Sequence, residues 1–210
     1  MSENHKPRPS RKGQQRRQDI LDTARTILVD EGWEAFSMRE VATRLGIRHG
    51  HLQYYFPTRH DLLAALYDDE VSAYMAGMST AVQRARTRES AVEGLLDSGI
   101  ETARRPETRL WRIAAALAHR DSEMNDILAQ DNQRYRDGLI DAFGEIAPEL
   151  SRQRRAVLAR FIQVLVDGLS LQLLTDDPTS TEVKALLRLL RAVTLSVFDE
   201  QATAPSSGSR

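Results

Sequence analysis

Within the twelve residues from Arg48 to Arg59, seven are suited to gripping a polyanion: Arg48, His49, Gly50, His51, Gln53, Tyr54 and Arg59. Gln53 offers the donor and acceptor pair that matches an adenine edge, and Arg48 a donor fork that fits guanine or phosphate. Tyr54 can donate to phosphate, and Gly50 lets a backbone approach closely. Arg59 stands beside the start of a further helix, where the helix dipole also favours anions. Ser37 and Thr43 add hydroxyls a little upstream. His49 and His51 suggest a metal, but residues two apart on a helix point about 200° apart, and no carboxylate pair completes a site. No metal and no cofactor are expected.

For these side chains to act together, the chain must hold them on one short helix. Ser37 and Glu40 have capping-box spacing, with Phe36 able to staple onto Val41, so a helix is predicted to start at Ser37 and to end at Gly46. A third helix runs from about Arg48 to Tyr55 before Phe56-Pro57 interrupts it. At about 100° per residue, Leu52, Tyr55 and Phe56 share one side of it while Gly50 and Tyr54 face the other. A first helix, from Gln14, places Ile20, Ala24, Ile27 and Leu28 on one face and stops at Gly32. Thr58 caps a fourth, with Asp61 in its first turn. Residues 37–55 thus read as a helix-turn-helix, whose second helix enters a major groove. The spacing alone leaves two readings equally open: a DNA-binding motif, and an ordinary helix corner with a polar outside.

Charge tips the balance. Residues 1–60 hold 11 Lys+Arg against 7 Asp+Glu, a balance of +4, and residues 61–210 hold 18 against 23, or -5, which sum to the chain's -1. Lys6, Arg8, Arg11, Lys12, Arg16 and Arg17 face only Glu3. Such an arm suits a polyanion, although a solvated tail has the same composition. Over the 210 residues, 41% hydrophobic and 28% charged content supports a globular core, and 6% aromatics with only 11 Gly and 7 Pro favour helices over a turn-rich β fold. With no cysteine, disulfide scaffolds, thiol nucleophiles and Cys-type zinc sites are excluded. No stretch is apolar enough for a membrane span, and the charged N-terminus lacks the apolar core of a signal peptide; a cytoplasmic protein is expected.

Further on, breaks near Thr87–Glu89, Pro106, Asp121-Ser122, Pro148 and Asp176–Pro178 separate helices near 58–84, 89–105, 107–119, 122–145, 149–175 and 180–199. The fold class is all-α with about nine helices. Four regions are expected: a disordered basic arm at 1–13, the helix-turn-helix domain at 14–60, a ligand-binding and dimerisation bundle at 61–200, and a disordered tail at 201–210. The last two helices carry apolar residues on more than one face. That surplus suggests a four-helix dimer interface involving Phe161, Leu165, Gly168, Leu169, Leu187 and Leu190, although two helices central to a larger bundle would look the same. Trp111, His119 and Tyr135 are the large polar-capable side chains nominated for a small-molecule effector pocket, each with a packing or capping role as the competing reading.

The segment Gly46-Ile47-Arg48-His49-Gly50-His51-Leu52-Gln53-Tyr54-Tyr55-Phe56-Pro57-Thr58-Arg59-His60-Asp61-Leu62-Leu63 resembles the signature of TetR-family transcriptional regulators. Ala24, Phe36-Ser37-Met38, Val41-Ala42 and Leu45-Gly46 sit at the family's spacing, so the resemblance covers about residues 15–65. Arg48, His49 and Gln53 depart from the usual Ser, Lys and aromatic, which changes the bases that can be read. The stretches around Leu110-Trp111-Arg112 and Val166-Asp167-Gly168-Leu169 resemble the betaine-regulator type of C-terminal domain. The resemblance implies a three-helix DNA-binding domain joined through a fourth helix to a helical ligand-binding and dimerisation domain. It further implies a repressor that binds a palindromic operator in double-stranded DNA as a homodimer and is released by an effector. A bundle enzyme is the rival class. The sequence has no GxSxG elbow, phosphate loop, HExxH pair or Glu-x-x-His pairs, so no enzyme is expected. A relative that has lost DNA binding and kept only protein interaction stays open.

Overall fold

The computed structural model describes residues 10–173, 176–177 and 179–203. They form nine α-helices: α1 (Arg11–Thr26), α2 (Met38–Arg44), α3 (His49–Tyr55), α4 (Arg59–Arg84), α5 (Arg88–Arg104), α6 (Thr108–Leu117), α7 (Ser122–Ile146), α8 (Arg152–Gln172) and α9 (Thr181–Thr203), with no strand among the described residues. The all-α reading holds. By packing, the chain divides into two compact units, one of residues through Asp69 with Arg109–Leu128, the other of Glu70–Thr108 with the residues from Ala129 onward. The first is larger than the 14–60 segment read from the motif, because Leu62, Leu63, Leu66, Leu110, Ala114, Met124 and Ile127 complete its core.

Several helix ends follow directly from local chemistry. The first helix begins at Arg11, three residues before the expected start, because Ser10 caps it by accepting from the Gly13 N–H at 3.2 Å. Arg11 and Lys12, expected in a disordered arm, are therefore helical, while Lys6 and Arg8 lie outside the described residues. The helix closes in a π turn, Ile27–Glu31, in which the Gly32 N–H donates to the Ile27 carbonyl at 3.0 Å. Gly32 and Gly46 are the two described residues with positive φ, 87° and 62°. At Gly46 the Ile47 N–H reaches the Ala42 carbonyl and the Gly46 N–H the Thr43 carbonyl, both at 3.0 Å, which satisfies the last carbonyls of α2. Near the other end, α9 continues to Thr203, past the expected stop at 199; residues 204–210 of the predicted tail lie outside the described residues.

In the first unit, the wholly buried Ile20, Leu21, Ala24, Ile27, Val41, Leu52, Leu62 and Leu66 form the centre. Tyr67 donates from its hydroxyl to the Leu110 carbonyl at 2.7 Å, and Arg109 donates to the Val29 carbonyl at 2.9 Å, tying α4 and α6 into that core. In the second unit α5, α8 and α9 pack on one another. A Cβ added at Gly99 would lie 2.9 Å from Val166 Cγ2, so glycine is what allows α5 and α8 to approach this closely. Phe143 and Phe198 meet edge to face at 5.5 Å between centroids. Among the described residues no helix is long and apolar enough to cross a membrane.

Candidate nucleic-acid interface

The helix-turn-helix is built as its spacing requires. Ser37 accepts from the Glu40 N–H at 3.1 Å and so caps α2. The reciprocal half of the expected box is absent, because the Glu40 carboxylate instead receives the Arg44 guanidinium at 2.7 Å. Arg44 also pairs with Glu31, which fixes the outer side of α2 to the end of α1; the pairing raises the Arg44 pKa and lowers that of Glu31. After the Gly46 turn, α3 buries Leu52 and ends on the buried Phe56. Tyr55, expected inside with them, is half-buried, its ring against His51 at 5.6 Å and Tyr54 at 5.2 Å. At the start of α4 the Thr58 hydroxyl and Asp61 carboxylate cap each other's backbone N–H groups at 3.0 Å.

What remains on the outside of α3 is the set chosen from the sequence. Arg48, His49, Gly50, His51 and Gln53 are exposed, and Tyr54, at 81%, is the most exposed of the large hydrophobic side chains. Ser37 and Thr43 are exposed on α2, with the Thr43 hydroxyl donating to the Arg39 carbonyl at 2.9 Å. Arg59 is exposed at the first residue of α4, and its guanidinium lies over the Trp33 ring. These side chains are thus brought to one exposed helix and its flanks. Leu52 and Phe56 hold that helix in place, and the outer face is left free to meet a groove.

Trp111 is half-buried on α6 and His119 is exposed in the turn after it, both in the first unit, whereas Tyr135 belongs to the second. Exposure of His119 removes it from any enclosed pocket. The second unit has a polar cluster that sequence reasoning only touched through Tyr135. The Tyr74 and Tyr135 hydroxyls are 3.1 Å apart, with ring centroids at 5.0 Å. Burial pushes the Tyr74 phenol up to about 12 and the Tyr135 phenol well above its ordinary value, and the nearby Asp167 charge adds to both. Burial likewise raises Asp167 to about 6 and Asp131, only 9% exposed, to about 7. The buried Gln163 links α8 to α7, accepting from Arg136 at 3.2 Å and donating to Asn132 at 2.8 Å. Asp131 and Tyr135 are four apart on α7, and Gln163 and Asp167 four apart on α8, but both helices carry many other polar residues, so the spacing did not single these out.

The six residues proposed for the dimer interface also separate. Leu169 and Leu187 are corrections: they are buried in the protomer's own core with Ile100, Ala103 and Val183. Leu165 and Leu190 are half-buried and line a small apolar recess with Leu96 and Ile100. Phe161 is half-buried and Gly168 exposed, with no atom within 4 Å of a Cβ built there. The large exposed hydrophobics are instead Val157, Val164 and Leu171 on α8 and Leu186, Leu189 and Val193 on α9. With Phe161 and Gly168, the α8 set recurs at alternating spacings of four and three, the heptad seam of a helix-packing face.

A helix-turn-helix unit with an open recognition helix, coupled in one chain to a helical bundle holding a buried polar cluster, defines a transcriptional regulator with DNA-binding and ligand-binding domains. Residues 20–66 match the bacterial regulatory proteins of the tetR family, and residues 84–198 match the BetI-type transcriptional repressor C-terminal domain. The chain belongs to the TetR family, with a C-terminal domain of the BetI type. It is similar to the HTH-type transcriptional regulator BetI of Yersinia pestis (strain Pestoides F), 24% identical over 179 residues that cover 82% of this chain and 87% of that one. Among solved structures, a transcriptional regulator from Pseudomonas aeruginosa PAO1 has the same fold, with a TM-score of 0.72 at 17% identity over 96% of this chain and 97% of that one. Another, from Saccharomonospora viridis and in complex with choline, has a TM-score of 0.62 at 17% identity over 89% and 96%.

Proposed function

We propose that this chain is a repressor that binds a palindromic operator as a homodimer and is released by a small, positively charged effector. The observation that carries the DNA-binding part is the outer face of α3, where Arg48, His49, Gln53 and Tyr54 are exposed and engage no ion-pair partner among the described residues. One such helix reads one half-site, and two-fold symmetry supplies the second. The exposed α8 and α9 stripes support that dimer, because an apolar surface of this kind is what an isologous interface covers. The effector part rests on Asp167, a carboxylate withdrawn from water, close enough to Tyr74 and Tyr135 for its charge to act on both, and with no cationic partner among the described residues. A bound organic cation beside two tyrosine rings would relieve that cost. The choline held by the Saccharomonospora viridis regulator supports the class of molecule without identifying it here. Release then needs only that the effector favour a conformation whose half-site spacing mismatches the operator.

Titrating duplex DNA from the region flanking the gene at two salt concentrations tests the first part. The expected result is dimer binding that weakens steeply with salt, and a preference for one palindrome over random sequence. Absence of binding at low salt would leave the protein-interaction reading in its place. For the second part, choline and its neutral carbon isostere are compared by calorimetry and as displacers of the DNA. Equal binding of the two, or none by choline and bulkier organic ammonium ions, overturns a cationic effector.

A further inference from the structure

Four arginines of the first unit are held in two different ways. Arg25 pairs with Asp22 and Asp69, and Arg44 with Glu31 and Glu40, so their donors are used inside the protein. Arg59 and Arg17 instead lie against aromatic rings. The Arg59 guanidinium carbon is 4.0 Å from the Trp33 ring centroid and 5.5 Å from that of Phe36, and the Arg17 guanidinium carbon is 5.0 Å from that of Phe56. Both arginines are exposed, and neither has an acidic partner among the described residues. A ring contact restricts a guanidinium without consuming its edge N–H donors, whereas a carboxylate restricts it by occupying them. The rings themselves are well fixed: Phe56 is buried as the cap of α3, Phe36 is buried in the core, and Trp33 stacks on Phe36 at 6.1 Å.

We propose that Arg59 and Arg17 are phosphate clamps pre-organised by aromatic rings, and that Trp33 is a positioning residue for DNA binding although it need never touch DNA. The rings sit beside the recognition machinery, since Phe36 directly precedes the Ser37 cap of α2 and Phe56 ends α3. A guanidinium held there presents a planar fork suited to bidentate phosphate contact, with much of its rotamer freedom already restricted before DNA arrives. Lysine in the same place keeps the charge and loses both the fork and the ring contact. The inference rests on the DNA-binding reading and adds to it which cations anchor the duplex and what aims them.

The test uses the full chain and a fluorescein-labelled random duplex of about 30 base pairs, because phosphate contacts carry no sequence and no operator is needed. Affinity is measured by anisotropy from about 50 to 200 mM salt. Arg59→Lys and Arg17→Lys are each expected to weaken binding about three- to tenfold, whereas Arg44→Lys, whose donors are already engaged, leaves it unchanged. Trp33→Leu keeps an apolar side chain for packing and should weaken binding as Arg59→Lys does; Trp33→Phe should restore most of the loss. The Trp33→Leu effect should vanish in an Arg59→Ala background, because its route to DNA is the guanidinium. A Trp33→Leu loss that persists undiminished in that background makes Trp33 merely structural and overturns its role, as does no loss at all in Trp33→Leu with Arg59 intact. Equal losses in Arg44→Lys and the two clamp variants overturn the distinction between ring-held and ion-paired arginines. Failure of the unmodified chain to bind the duplex even at low salt is a separate outcome, since it removes the DNA-binding reading itself.

Discussion

Leu189→Glu is expected to split the proposed dimer while leaving each protomer folded. Leu189 and Val164 are each 61% exposed, so neither supports the protomer's own core, and glutamate is about as good a helix former as leucine. Fully burying a leucine is worth roughly 1.5–3 kcal/mol, so covering the exposed part of Leu189 contributes about 1–2 kcal/mol, and two-fold symmetry counts it twice. The loss of about 2–4 kcal/mol corresponds to a dissociation constant raised roughly 30- to 1000-fold, before the added cost of burying a charge. Sedimentation velocity over a dilution series reads that shift, and far-ultraviolet circular dichroism with a thermal melt checks that the helices are intact. Leu187→Glu, two residues away but only 9% exposed, should instead lower the melting temperature sharply, because its charge would enter the protomer core. An unchanged dissociation constant for Leu189→Glu and Val164→Glu together would refute the seam, as would a wild-type chain that stays monomeric at micromolar concentration.

Gln53→Ala should relax sequence preference at one operator position by about 1–3 kcal/mol with little effect on random DNA, which a panel of single-base operator variants would show. Leu52→Ala, at a wholly buried position under the recognition helix, should destabilise the protein by about 2–5 kcal/mol in chemical denaturation. Asp131, raised by burial to about 7 from an ordinary 3.8, keeps its proton in the folded protein where the unfolded chain has lost it, so its contribution to stability falls as pH rises between those values and is level above. Asp131→Asn should flatten that part of the pH–stability profile and stabilise the effector-free protein at pH 8 by on the order of 2 kcal/mol; an unaltered profile would show that the carboxyl is better solvated than its burial implies. Removing residues 1–9 deletes Lys6 and Arg8 but spares the Ser10 cap, so folding should be intact while the salt dependence of DNA binding becomes shallower by up to about 0.9 per lost phosphate contact.

Residue order alone determined what is settled within one turn or one helix. Ser37 and Thr58 as caps, Gly32 and Gly46 as the stops, and the division of α3 into buried Leu52 and Phe56 against exposed Gln53 and Tyr54 all follow from dihedral preference, capping geometry and a repeat of about 3.6 residues. For that reason the candidate DNA-contact set, which lies on one short helix and its flanks, was legible from spacing, and the family signature over the same residues was legible with it. Tertiary packing decided where one side chain had several available partners. Glu40 has capping-box spacing from Ser37 yet binds Arg44, which already reaches Glu31 from another helix. Leu165, Leu169 and Leu187 are as apolar as Val164, Leu171 and Leu189, and only the helices packed against them determine which are covered. Tyr74 and Tyr135 are 61 residues apart in the chain, and Arg59 and Trp33 are 26 apart. Local periodicity carries no information about contacts at such separations, because they depend on how each helix is rotated about its axis when the whole core closes.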